Sequence, residues 1–139
     1  MSDAVEKKEI ELSKESAQAI IKEWFDHYDI DFSDIVNDQG KEGAETVRNK
    51  LTRAIKKGRL QTKKENGFEV IQHLTDGKTL TYGELSGKHM IEGEKAKGSI
   101  SGMYAMLGSL AGIEKTAIEN LKGKDLGLAH AVGTIFLVV

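Results

Sequence analysis

"FEVIQHLTDGKTLTYGEL" occupies residues 68–85. This stretch decides between an all-helical chain and a mixed one. Two runs rich in β-formers, "FEVIQHL" and "KTLTYGEL", flank Asp76-Gly77. Such a dipeptide suits the positive φ angles of a tight hairpin turn. Just upstream, "RLQTKK" leads towards Asn66-Gly67, a dipeptide of the same kind with weaker flanks. Residues 59–85 therefore predict a meander of three short antiparallel strands.

Outward from the hairpin the apolar period becomes helical. On the N-terminal side, Ser13 predicts a helix N-cap and Glu15 complements the dipole of the first turn. Ala17, Ile20, Ile21, Trp24, Phe25 and Tyr28 then form one broad apolar stripe, its three aromatics serving as core anchors. The turn-rich segment Asp29 to Gly43 predicts a loop with a short helical piece around Ile35. A second helix is expected from about Ala44 to Lys57. Val47, Leu51, Ala54 and Ile55 face inward there, and Arg48, Lys50, Arg53, Lys56 and Lys57 face out. Gly58 supplies the stop.

On the C-terminal side, ten of the 15 glycines fall between Gly83 and Gly133. Their spacing leaves room for three short helices, about Ser99–Ala111, Ile113–Leu121 and Asp125–Leu137. The inward faces read Ile100, Met103, Leu107 and Leu110; then Ile113, Ala117, Ile118 and Leu121; then Leu128, Ala129, Val132, Ile135 and Phe136. Gly112 and Gly123 stand where C′ glycines would end the first two. The expected fold is α+β and mostly helical, with two N-terminal helices, a small antiparallel β-meander and a C-terminal cluster of short helices. Residues 1–64 make an acidic and basic helical region. Residues 65–139 carry the hairpin and helical cluster, packed with the first part as one unit.

A chain of 139 residues is long enough to bury a core without staples. The absence of cysteine removes disulfides, thiolate chemistry and zinc–cysteine sites, and fits a reducing compartment. No run reaches the ~18 apolar residues of a membrane span. The charged N-terminus lacks the apolar core of a secretory signal, so a soluble cytoplasmic protein is expected. Charge is unevenly spread. Residues 1–40 hold 4 basic and 11 acidic side chains, residues 41–64 hold 9 and 2, and residues 65–139 hold 7 and 9. The first two blocks attract each other or seek partners of opposite sign.

The motifs that could carry chemistry are few. "DIDFSDIVNDQG" places Asp31 and Ser33 at calcium-loop spacing from Asp29. It then offers Asp34 where an EF-hand needs glycine, and Gly40 where it needs a bidentate glutamate, so a solvated acidic loop is the better reading. "GSLAG" at Gly108–Gly112 has small-xxx-small spacing, which here points to local packing or a helix end. The four histidines, His27, His73, His89 and His130, form no metal or protease motif. Neither a Walker sequence nor G-x-S-x-G occurs. No catalytic residue, metal site or cofactor is assigned. An enzyme would need a histidine in a polar cleft with a strongly perturbed pKa. The basic helix 44–59, with Arg48, Lys50, Arg53, Lys56 and Lys57, makes a small nucleic-acid-binding module the main alternative function.

One pattern is more specific. Asp76, Gly77 and Lys78 form a D-G-K turn. The helical end that follows runs through Leu110, Ala111, Gly112 and Ile113, then Ile118, Glu119 and Leu121. Asp125, Leu126 and Leu128 come next, and Phe136 and Leu137 close it. From Phe68 onward, about half the chain, this resembles the small tail assembly chaperones of long-tailed phages, particularly the E-type family of contractile-tailed phages. The resemblance implies a non-enzymatic role in the host cytoplasm. Such proteins coat the helical tape measure protein and help tail tube subunits polymerise around it, and many are also made in a longer, frameshifted form. On that reading Met90, Met103 and Met106, with Leu107, Leu110 and Ile113, would offer the adaptable contact face for the tape measure and tail tube proteins. A homo-oligomer is compatible with the same reading.

Overall fold

The computed structural model describes residues 11–65, 67–95 and 99–139. The N-terminal residues 1–10 and the Asn66 half of the first turn lie outside the described residues. In chain order the elements are α1 (Lys14–His27), α2 (Phe32–Lys56), β1 (Leu60–Lys63), β2 (Glu69–His73), β3 (Thr79–Tyr82), α3 (Gly87–Lys95), α4 (Ser99–Ala111), α5 (Lys115–Glu119) and α6 (Gly123–Leu137). The fold is a mostly helical α+β arrangement, as the residue pattern implies. Among the described residues no helix is long and apolar enough to cross a membrane.

The three strands pair in sequence order, all antiparallel. Leu60, Val70, Gln72 and Tyr82 turn to the inner face of the sheet and are buried. The hairpin at Asp76-Gly77 is closed differently from a two-residue turn. The Gly77 N–H donates to the Leu74 carbonyl at 3.0 Å, and the Leu74 N–H donates to that of Lys78 at 2.8 Å. Only Gly77 takes a positive φ, 91°, so a three-residue loop replaces the tight form that would need Asp76 left-handed as well. Asp76 instead turns its carboxylate onto the Lys78 N–H at 2.9 Å.

Helix α1 starts as the sequence dictates, with Ser13 Oγ accepting the Ser16 N–H at 3.1 Å. The segment expected as a loop with a short helical piece around Ile35 is helical from Phe32 onward, apart from a break at Gly40. Asp34 Oδ2 accepts the Asp31 N–H at 2.9 Å, and Ile35 is fully buried, so α2 begins at Phe32. The aspartates that read as turn formers are a helix start and its solvent face. The helix is interrupted at Gly40, whose φ of 80° and ψ of 165° kink it. Beyond the kink, Val47, Leu51, Ala54 and Ile55 are buried as expected, and Gly58 ends the helix.

Among the described residues the C-terminal cluster has four helices where three are expected. Helix α3 is the addition, packing along α4 through Gly93 and Gly102. A Cβ on Gly102 would stand 2.8 Å from the Gly93 carbonyl oxygen. Helix α4 spans the expected residues, but Ile100 on its expected inner face is 57% exposed. Gly112 ends α4 as expected, whereas α5 stops at Glu119 and Gly123 opens α6 rather than closing α5. Ala117 faces out, because a helix of only five residues buries little beyond Ile118.

One core runs through both parts of the chain. Phe136 of α6 lies 5.9 Å from Trp24, 5.8 Å from Tyr28 and 6.5 Å from Tyr82, measured between ring centroids. Helix α6 is buried over most of its circumference, from Leu128 to Phe136. Between the charge blocks the structure shows one ion pair among the described residues, Lys64 to Glu23 at 3.5 Å.

Candidate functional site

Two concavities sit near opposite ends of α6. The first is an apolar groove of about 210 Å³ between α3, α4 and the end of α6. Met90, Met103, Met106 and Leu137 give its apolar wall, and Gly93 and Gly102 its floor. The glycine pair draws α3 and α4 together and leaves no side chain to fill the space between them. Glu94 and Ser99 are its polar members. Beyond the groove, Ile91 is 54% exposed.

The six residues of the expected contact face are therefore divided. Met90 is exposed on the groove, and Met103 and Met106 reach it while remaining largely buried. Leu107 and Leu110 belong to the core. Ile113 is half-buried and lines a polar depression with Glu92, Lys95 and Lys115. Helical periodicity selects the inward stripe of α4, and that stripe is largely spent on packing against α6 and the sheet. Of the expected stripe only Ile100, at its start, is exposed, and Ile91 and Leu137 are exposed on α3 and α6.

The second concavity, about 430 Å³, lies where α2 ends and α6 begins. Lys50 and Arg53 enter it from one face of α2 and Lys57 from its C-cap, at helical spacing. Arg59 joins from the turn after Gly58, and Lys124 from the first turn of α6. Gly123, Gly127, Ala54 and Leu128 complete the lining, so it contains no acidic side chain. None of the five cations forms an ion pair among the described residues. Asp125, the acidic residue of the α6 first turn, is engaged elsewhere, accepting the Thr75 hydroxyl at 2.8 Å.

The expected basic face of residues 44–59 is divided as well. Arg48 lies with its guanidinium 4.1 Å from the Phe32 ring centroid, on another side of α2. Lys56 is half-buried outside the concavity. Arg59 and Lys124 could not be placed from α2 periodicity, because both arrive from other elements.

The histidines have local partners. His27 stacks on Phe68 and bonds Glu84 at 2.9 Å. Burial tends to raise the Glu84 pKa, but the Phe68 N–H, His27 and Tyr28 together hold it below the usual value. His89 is buried at the start of α3, where its Nδ1 accepts the Ser86 N–H at 3.0 Å. Burial, aided by the Lys88 charge, pushes its pKa down. His130 bonds the Tyr104 hydroxyl at 2.7 Å, and His73 bonds Gln61 at 2.7 Å. Against known proteins, no family model, curated protein or solved structure matches the chain.

Proposed function

We propose that the chain is a non-enzymatic phage or prophage tail assembly chaperone, acting in the host cytoplasm on the tape measure protein and tail tube subunits. The observation that carries the reading is the apolar groove between α3, α4 and α6, in the part of the chain that resembles those chaperones. A tape measure protein exposes a long apolar helix face until the tube encloses it. A chaperone must cover that face and then release it. A shallow groove walled by methionines fits both demands, since flexible thioether side chains adapt to successive apolar residues without a fixed register. Met90, Met103 and Met106 are the contact residues on this reading, with Ile91 and Leu137 extending the surface.

The test is co-expression with the tape measure protein of the same genome, followed by pull-down. Wild-type chain should keep the tape measure protein soluble and co-purify with it, and Met90→Glu with Ile91→Glu should abolish both. A variant that rescues solubility as well as wild type, or a wild type that recovers no tail protein, overturns the reading. The alternative, a nucleic-acid module on helix 44–59, draws support from the second concavity. It requires salt-dependent binding of DNA or RNA in the absence of tail proteins.

A further inference from the structure

We infer that the concavity between the end of α2 and the start of α6 is a binding site for a compact, multiply charged phosphate anion. It is independent of the chaperone reading and uses none of the same residues. Five cationic side chains from three separate elements, Lys50, Arg53, Lys57, Arg59 and Lys124, converge on one space of about 430 Å³. That size lies within the usual range of small-ligand sites.

Convergence distinguishes this site from an ordinary solvated basic face. Like charges gathered around one hollow repel one another, and no carboxylate among the lining residues offsets them. Among the described residues the opposed charge of the chain does not serve here. Lys64, not a residue of the concavity, makes the ion pair with the acidic block, and Asp125 turns to Thr75. An anion entering the hollow would relieve the repulsion of all five groups at once. The two arginines can each present a bidentate fork to phosphate oxygens, while the lysines supply point charges. Beside Lys124 and Leu128, Gly123 and Gly127 carry no side chain and open onto free space, so the α6 backbone is accessible to phosphate oxygens at those two positions.

The shape also selects among phosphate sources. A duplex or long single strand is tracked by a linear stripe of cations. Arg48 would extend such a stripe along α2, but it is folded onto Phe32. What remains is a focus rather than a track, which suits free polyphosphate, a nucleotide's phosphate chain or a terminal phosphate on a nucleic acid.

Inorganic tripolyphosphate titrated into the full chain at low ionic strength, followed by calorimetry, tests the assignment. Saturable one-to-one binding is expected. The double variant Arg53→Gln with Lys124→Gln should weaken it by about tenfold or more. The control pair Lys14→Gln with Lys41→Gln, outside the concavity, should change it by less than about twofold. Thermal melts of both pairs verify that each variant is folded. Competition then separates sources: displacement by ATP and a 5′-phosphorylated oligonucleotide, but not by its unphosphorylated form, is the result for a compact phosphate. Absence of saturable binding by the folded wild type overturns the inference. So does equal weakening in the control pair, or equal competition by the unphosphorylated strand, since either marks diffuse charge attraction.

Discussion

The two concavities near the ends of α6 are opposites in composition and in how the chain makes them. A 15-residue helix is roughly 22 Å long, so they share a support without sharing a surface. The groove by Leu137 exists because side chains are missing: Gly93 and Gly102 bring two helices together and leave methionines to edge the gap. The hollow by Lys124 exists because side chains are present, with five cationic residues lining one space. One is a packing deficit and the other a charge surplus. A perturbation of packing should therefore damage the first and spare the second, while a change of charge should do the reverse.

The largest effect should come from breaking the helix they share. Phe136→Ala removes a fully buried ring from the meeting point of Trp24, Tyr28 and Tyr82, and should cost about 3–5 kcal/mol in urea denaturation. Both concavities should fail together. Tripolyphosphate binding that survives this substitution would show that the charged end is held by α2 alone.

Next comes a substitution meant to separate them. Gly102→Val would press side-chain carbons against the Gly93 backbone, where even a Cβ has only 2.8 Å, and should cost about 3 kcal/mol. Hydrogen exchange should show protection lost in α3 and α4 and kept in the second turn of α6, the first whose amides bond within the helix. Equal loss at both ends would mean that the groove and the hollow form one cooperative unit.

A matching cut near the charged end is Gln72→Leu. Gln72 is fully buried; its Oε1 accepts the Tyr82 hydroxyl at 2.8 Å and its Nε2 donates to the Asp125 carbonyl at 2.8 Å. Leucine would strand both partners at a cost of about 2 kcal/mol. The start of α6 should loosen first, weakening tripolyphosphate binding before it changes the groove.

Acid should sharpen the contrast by a smaller amount. His89 is held neutral by burial, with its folded pKa below the unfolded value of about 6.5. Its contribution is thus fully present above about pH 6.5 and is lost as pH falls through the depressed folded value. That contribution is about 1 kcal/mol, the bond that starts α3. Denaturation of wild type and His89→Gln across this range should converge on acidification, and α3 should open before the β-sheet does. The smallest effect belongs to Arg53→Gln, an exposed change expected to alter stability by less than about 0.5 kcal/mol. A larger gain in stability would show how strongly the five cations repel one another.

The hairpin and the stripes of α1, the later part of α2 and α6 were legible because each follows one period and ends at a clear signal. Ser13, Gly58 and Gly112 are such signals. Around Ile35 a short helical piece was legible, but not that it starts at Phe32 and runs on into the basic helix, since Asp31, Ser33 and Asp34 serve turns and helix starts equally well. Helix α3 was hidden because its partner contact is a glycine pair, which leaves no apolar period to read. The same limit governs the sites. Lys50, Arg53 and Lys57 were visible at their helical spacing, whereas Arg59 and Lys124 come to them only through the tertiary fold. For Met103 and Met106, sequence marks an apolar face without saying whether the protein itself will cover it.

The chain's one tryptophan sits at a useful place for testing this contrast. Trp24 is wholly buried, packed on Phe25 and Phe136, and its indole Nε1 finds no hydrogen-bond partner among the described residues. An indole enclosed this fully by apolar side chains has little polar surrounding to relax its excited state, so its emission should lie well to the blue of free tryptophan. Any event that lifts α6 from α1 admits water and shifts that emission to the red. The protein thus carries its own optical gauge for the seating of its central helix, readable without a label.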